Sequence, residues 1–334
     1  MFMPTLLAEA TAIGLADRLR GLVGIVVILG LLILFSEHRR AISRRVVFWG
    51  LALQWGFAFI VLKWNQGAMA IKKAGDVVQG VLESAVVGSR FVFGDKLLDP
   101  AGPAGFVFAF HILPTVIFVA AFFAVLYHLG IMQWVVRGVA AVMAKLMGAS
   151  GAESLDVAAS IFIGQTEAPL TIRPYLPKMT RSELLTVMTS GMAHVSGGIM
   201  AAYVACHVEL RHILTAVIMT APGTILVAKL MIPETETPET LGHVKPSEEK
   251  PDANVLDAAS RGTREGLALA LNIAAMLIAF LAIIHLINTG LGLFGGWIER
   301  MAGTHHGLET LSLQSILGVV LAPVAWLLGI PLAD

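Results

Sequence analysis

Seven stretches of this chain run for sixteen residues or more without an Asp, Glu, Lys or Arg: 21–36, 46–62, 100–136, 184–208, 212–228, 266–298 and 310–333. About 20 apolar residues cross the hydrocarbon core of a bilayer as a helix, and a spanning segment must satisfy its own backbone. These runs therefore restrict the chain to a membrane-embedded, all-α fold. Composition agrees. Hydrophobic residues make up 57% of the 334 and charged residues 14%, against roughly half and a quarter in a globular protein. Mean hydropathy is +0.80. Too few charges remain to cover a water-facing surface, so the excess apolar side chains face lipid.

Six of the runs read as spanning helices, with the third narrowed to 106–129; the seventh is interrupted by Pro323 and Gly329. The shorter runs need tilt or flanking side chains to complete the crossing. Glu9 and Asp17 in the first 18 residues, and no small-residue cleavage site, predict a retained first helix rather than a signal peptide. Arg39, Arg40, Arg44 and Arg45 crowd the short loop between the first two runs, and the positive-inside rule makes that loop cytoplasmic. The N-terminus is then periplasmic or extracellular. Arg173, Lys178 and Arg181 fall on the cytoplasmic side under the same count.

Three segments are not simple spans. Residues 68–94 place Ile71, Ala74, Val77, Val78, Val81 and Ala85 on one face, apart from Lys72, Lys73, Asp76 and Glu83, as in an interfacial amphipathic helix. Residues 131–148, with Arg137 and Lys145 on an otherwise apolar helix, read the same way. Residues 233–256 carry four prolines, six acids and two lysines and read as a solvated loop.

Net charge is zero, with 23 basic and 23 acidic residues, so no nucleic-acid partner is expected. The single Cys206 excludes a disulfide framework or a Cys-based metal cluster. No metal motif, Ser-His arrangement or paired-Asp constellation has convincing spacing, so an enzyme is not expected. His207, Glu209 and His212 read as a solvated loop, and His305-His306 as a Gly-flanked connection. Gly197, Gly198, Ala201, Ala202 and Ala205 are spaced for close helix packing. Trp49, Trp64 and Trp134 suit membrane interfaces, and Trp55, at mid-span, suits packing.

The most informative stretch is Ser160-Ile-Phe-Ile-Gly-Gln-Thr-Glu-Ala-Pro-Leu-Thr-Ile-Arg-Pro-Tyr. Residues 157–172 are largely apolar except for Gln165, Thr166 and Glu167 at the centre, and each half is too short to cross a bilayer. Gly164 and Pro169 bracket the polar triplet. The pattern predicts two half-helices joined by an open turn, a re-entrant hairpin that lines a cavity or is buried in protein. An acid at that depth marks a substrate or ion pathway, and broken helices near the midplane are a recurring binding device of secondary transporters.

Gly164-Gln-Thr-Glu-Ala-Pro-Leu resembles the signature of the concentrative nucleoside transporter family, bacterial type. Ser36-Glu-His-Arg-Arg-Ala-Ile, Phe91-Val-Phe-Gly, Met179-Thr-Arg-Ser-Glu-Leu and Ala268-Leu-Ala-Leu-Asn-Ile-Ala-Ala-Met-Leu-Ile-Ala-Phe are similar to further family segments. The resemblance covers residues 19–334. It implies a homotrimer of independent transport units in the inner (plasma) membrane, each with a scaffold, a mobile transport domain and two oppositely oriented hairpins. Residues 1–67 are then a two-helix scaffold segment, and 68–150 the interfacial helices and third span. Residues 151–232 hold the first hairpin, a broken helix and the following helix. A cytoplasmic loop at 233–256, the sixth span at 257–311 and the first, incomplete arm of the second hairpin at 312–334 complete the chain. The ribose-binding residues of the family lie in two further helices beyond Asp334, so this chain is expected to hold the nucleobase half of the site.

For substrate, the resemblance implies Gly164, Gln165, Thr166, Glu167 and Ile199. An amide, a hydroxyl and a carboxylate also match a nucleobase edge on chemical grounds. For the coupling ion it implies Ser160, Ile163, His194 and Val195, where sodium-coupled relatives supply an Asn side chain, a carbonyl, a Ser hydroxyl and a second carbonyl. Here Ser stands for Asn and His for Ser. Sodium favours hard oxygen ligands by the same logic as calcium and magnesium, whereas histidine titrates near physiological pH. The expected activity is therefore nucleoside import by alternating access, driven by a proton, with sodium as the alternative coupling ion and no other cofactor. A packed, hydrogen-bonded His194 is the plain alternative reading of that residue.

Overall fold

The computed structural model describes residues 15–99, 105–163, 168–195, 199–200, 203–204, 208–241, 252–302 and 311–330, and the regular structure among them is all helical, with no strand. Two compact units are separable, one formed by the chain up to Leu34 with Ala275 onwards, the other by Phe35–Ala274.

The larger unit contains α2 (Arg44–Leu62), α3 (Asn65–Phe93), α4 (Asp95–Leu98), α5 (Phe108–His111) and α6 (Leu113–His128). It continues with α7 (Ile131–Met147), α8 (Gly151–Ile163), α9 (Arg181–Ala193), α10 (Leu210–Met231) and the first part of α11 (Val255–Ala302). The smaller unit holds α1 (Leu15–Leu34), the remainder of α11 and α12 (Leu313–Leu327). Among the described residues four helices are long and apolar enough to cross a membrane: Arg44–Val61, Phe108–His128, Leu210–Met231 and Val255–Met301. Two shorter apolar helices cover Arg20–Leu34 and Leu313–Leu327. The expected interfacial helices appear as α3 and α7.

Two expectations need correction. The run 184–208 is not one helix: α9 stops at Ala193, and His194 and Val195 are non-helical. The second arm of the hairpin is not an α-helix but a 3-10 turn, Ala168–Ile172. Pro169 starts that turn, and Pro174 and Pro177 withhold the backbone donors an α-helix would need there.

Local chemistry sets the other boundaries. Gly130 and Gly148, at φ 81° and 75°, bracket α7 in the left-handed conformation that glycine adopts without a Cβ penalty. A capping box starts α9: Thr180 Oγ1 accepts from the Glu183 amide, and the Glu183 carboxylate accepts from the Thr180 amide.

The core of the larger unit is centred on α8. Ala152, Val157, Ala158 and Ala159 are fully buried. They pack in one cluster with Val136, Met143 and Met147 of α7 and with Ile213, Val217 and Ile225 of α10. A smaller cluster joins α6 to α11 through Ile112, Val116 and Ala270. There Gly262 and Gly266 allow close approach: a Cβ on Gly266 would lie 2.8 Å from Ala120 Cβ and 2.9 Å from Ile117 Cα. Trp55, expected in packing, is 53% exposed instead. An apolar indole gains little by leaving a lipid-facing surface, because lipid tails solvate it as well as a protein core does.

Candidate ion and substrate site

The site is built where α8 passes the broken end of α9. Ser160 lies on α8 and is buried, as is His194, the residue that ends α9. The Ser190 hydroxyl donates to Ser160 Oγ at 2.8 Å and lies 3.5 Å from His194 Nδ1. His194 Nδ1 also lies 3.1 Å from the Ser190 carbonyl. A carbonyl can only accept, so Nδ1 carries a proton, and in the neutral ring Nε2 presents a lone pair. That Nε2 is buried and has no partner among the described residues.

Two of the expected ion-site side chains, Ser160 and His194, thus meet through Ser190. Ile163 is the last residue of α8, and Val195 follows His194 directly. Ile199 is helical and half-buried beyond the break. Gly164, Gln165, Thr166 and Glu167 lie outside the described residues. Pro222 lies inside α10, which runs unbroken past it, and the neighbouring Gly223 makes room for Gln54 of α2.

Sequence reasoning passed over a second polar layer. Lys229 of α10 is 5% exposed, and its ammonium lies 2.9 Å from Glu153 Oε2 of α8 and 3.1 Å from Glu234 Oε2. Glu234 also accepts from Thr180 Oγ1 at 2.9 Å, and the Ser182 hydroxyl donates to the Ile232 carbonyl at 2.6 Å. Glu153 accepts from the Ser150 amide at 2.7 Å, and the Ser150 hydroxyl donates to Glu183. Together these contacts pin the start of α8, the start of α9 and the end of α10. Arg181 pairs with Glu37 at 2.8 Å, and Arg45 donates to the Lys145 and Leu146 carbonyls. The basic loop between α1 and α2 therefore lies at the same end as this layer.

Asp156 was also passed over. It is 1% exposed and sits one turn before Ser160 on α8. The available signal was its spacing: 156 and 160, like 190 and 194, are four apart and share a helix face.

Glu209, read as loop, precedes the first turn of α10 and pairs with Arg211 and His212, all of them exposed. His207 lies outside the described residues. In the same unit, an apolar pocket of about 640 Å³ is lined from α2, α3, α6, α7, α8 and α10, including Phe57, Phe122 and Phe162, and by Met200 beyond the break in α9. It offers no polar group with which to orient a nucleobase.

Three consecutive family models match the chain: the Na+ dependent nucleoside transporter N-terminus over residues 23–96, nucleoside recognition over 109–207, and the Na+ dependent nucleoside transporter C-terminus over 212–334. An uncharacterised transporter of Haemophilus influenzae is 43% identical over 93% of this chain and 72% of its own length. Solute carrier family 28 member 3 of Mus musculus is 40% identical over 93% of this chain and 42% of its own. Among solved structures, CNTnw in an inward-facing substrate-bound state superposes with a TM-score of 0.85 at 37% identity, covering 95% of this chain and 74% of that one. A variant of CNTnw in an outward-facing state gives 0.86 at 39% identity, over 95% and 75%. The broken α9, the hairpin arm α8 and these matches over nearly the whole chain have one explanation: the chain is a multi-pass membrane protein of the concentrative nucleoside transporter family, a transporter and not an enzyme.

Proposed function

We propose that this protein imports nucleosides by proton-coupled symport, alternating access between the two sides of the membrane. The observation that carries the proton reading is the contact of Ser160, Ser190 and His194 at the break in α9. It supplies two hydroxyls already bonded to each other and an imidazole, a poor set for sodium and a workable one for a proton. Gln165, Thr166 and Glu167 bind the nucleobase, with Gly164 and Ile199 beside them, and Ile163 and Val195 flank the ion position. Residues 151–232 and 312–334 move against a scaffold that includes 1–67 and 257–311. The protein works as a homotrimer in the inner membrane, with the loop around Arg39–Ala41 and the loop 233–256 cytoplasmic and the N-terminus outside.

Uptake of radiolabelled uridine into proteoliposomes tests this reading. Uptake follows an imposed pH gradient and is indifferent to replacing sodium by choline; collapse in sodium-free buffer at fixed pH overturns the proton. Glu167→Gln removes a hydrogen bond to a charged, desolvated group, worth about 1.5–3 kcal/mol. It lowers nucleoside affinity roughly ten- to hundredfold while trimer assembly, read by size-exclusion with light scattering, is retained. Wild-type uptake by that variant removes Glu167 from the site.

A further inference from the structure

Among the described residues, all but two of the buried ionisable groups in the helices around α8 are committed. Glu153 faces Lys229 of α10, and Glu183 of α9 holds Ser150 and the Thr180 amide. Arg137 and Lys145 of α7 are not buried. Asp156 and His194 remain. Among the described residues no basic side chain pairs with Asp156, and its Oδ1 is buried without a hydrogen-bond partner. Asp156 stands one turn before Ser160 on the same face of α8, and Ser160 is the residue that the Ser190 hydroxyl bonds. The same hydroxyl bonds Ser160 at 2.8 Å and stands 3.5 Å from His194, whose Nε2 is likewise buried and unpartnered. Ser190 thus joins a second hydroxyl to an imidazole, one helical turn from a carboxylate, and Asp156, Ser160 and His194 are all nine-tenths or more buried.

A desolvated carboxylate with no cation beside it must be neutralised before its surroundings can cross a membrane. Resting on the coupled-transport reading above, we propose that Asp156 is the anionic centre of the coupling-cation site: the cation that drives uptake neutralises this carboxylate beside the hydroxyls of Ser160 and Ser190 and the ring of His194. The substitution of Asn by Ser at 160 then does not leave the site without a charge-bearing group. That group sits one turn earlier on the same face of α8. A monovalent cation is the ligand, and the experiment separates proton from sodium.

The complete protein is reconstituted, and uridine uptake is measured under a pH gradient alone, a sodium gradient alone, and as exchange with internal uridine at zero gradient. The readout is the ratio of gradient-driven accumulation to exchange. A general loss of folded protein lowers both members and leaves the ratio unmoved. Asp156→Asn is expected to lower this ratio about tenfold or more for whichever cation drives the wild type. Ser190→Ala weakens the apparent cation affinity by a smaller factor. If Asp156→Asn keeps the wild-type ratio and cation dependence, the inference is overturned. Should that variant fail to assemble, Asp156→Glu is read instead: an altered apparent cation affinity supports the site, and an unaltered one overturns it. Wild-type uptake driven by sodium overturns the proton alone, and Asp156 is then scored on sodium. Indifference of the wild type to both gradients overturns coupled transport and this site with it.

Discussion

α8 and α11 are both apolar helices, yet they are used in opposite ways. Over thirteen residues α8 carries Glu153, Ser154, Asp156 and Ser160, each no more than 1% exposed. α11 runs for 48 residues, with only 6% of its spanning window buried. Ile278, Leu281 and Leu286 stand more than 60% exposed on it. In water the reverse distribution would be expected. In lipid, large apolar side chains gain nothing by leaving the surface, whereas polar groups gain from finding one another. The interior around α8 therefore combines satisfied polar groups with apolar packing, while α11 leaves most of its apolar bulk outside.

The largest expected effect attacks the polar interior. Lys229→Met leaves Glu153 and Glu234 without their cation and costs about 3–5 kcal/mol, because an unpaired buried charge remains. Thermal unfolding in detergent measures it. Adding Glu153→Leu, which removes the stranded charge, recovers most of the loss. A cost below about 1 kcal/mol would show that the layer is wet, and that α8 is not the polar core contrasted here.

A second test separates two parts of α11. Gly266→Leu drives a side chain into Ala120 and Ile117 of α6, an overpacking worth about 1–3 kcal/mol. Gly290→Leu, where a Cβ meets open space, changes the melting temperature little. Equal effects would mean that close packing, not lipid contact, governs the whole helix.

Smaller still is the pair at the start of α11. Arg261 binds Asp252 with two hydrogen bonds, 2.8 and 2.9 Å, and this holds the Asp252 carboxyl below the usual carboxylate range. A lowered folded-state pKa gives stability that is present above the unfolded value of about 3.9. It is lost as pH falls through the lowered folded value. Arg261→Ala therefore costs about 1 kcal/mol at neutral pH. The wild-type and variant melting curves converge as the pH falls below the ordinary carboxylate range. Curves that stay parallel would show that Arg261 acts through packing alone.

The smallest effect is on the lipid face. Ile278→Ala should change stability by no more than about 0.5 kcal/mol. A larger loss in lipid would mean that a protein partner, not lipid, covers that face.

Much of this was legible in the sequence because it depends on local composition. The uncharged runs that became α2, α6, α10 and α11 were readable from length alone. So were the α3 and α7 boundaries, since their amphipathic pattern and Gly148 act within a few residues. The break at His194 was not readable from hydropathy, because the run 184–208 is uninterrupted by charge; only likeness to the family pointed there. The 3-10 form of Ala168–Ile172 was also missed, although Pro169 and Pro174 carried the signal.

The partners of the buried ionisable groups could not be read at all. Glu153 and Lys229 are 76 positions apart in the numbering, and nothing local says that α10 brings one to the other. The surroundings of Asp156 are likewise invisible until α9 places Ser190 against Ser160 of α8. By itself the sequence determined that the chain lives in a membrane and where most of its long helices run, because hydropathy, proline and glycine act over a turn or two of chain. The tertiary structure alone decided which buried carboxylate faces a lysine and which, among the described residues, faces none, because that depends on contacts between helices far apart in the chain.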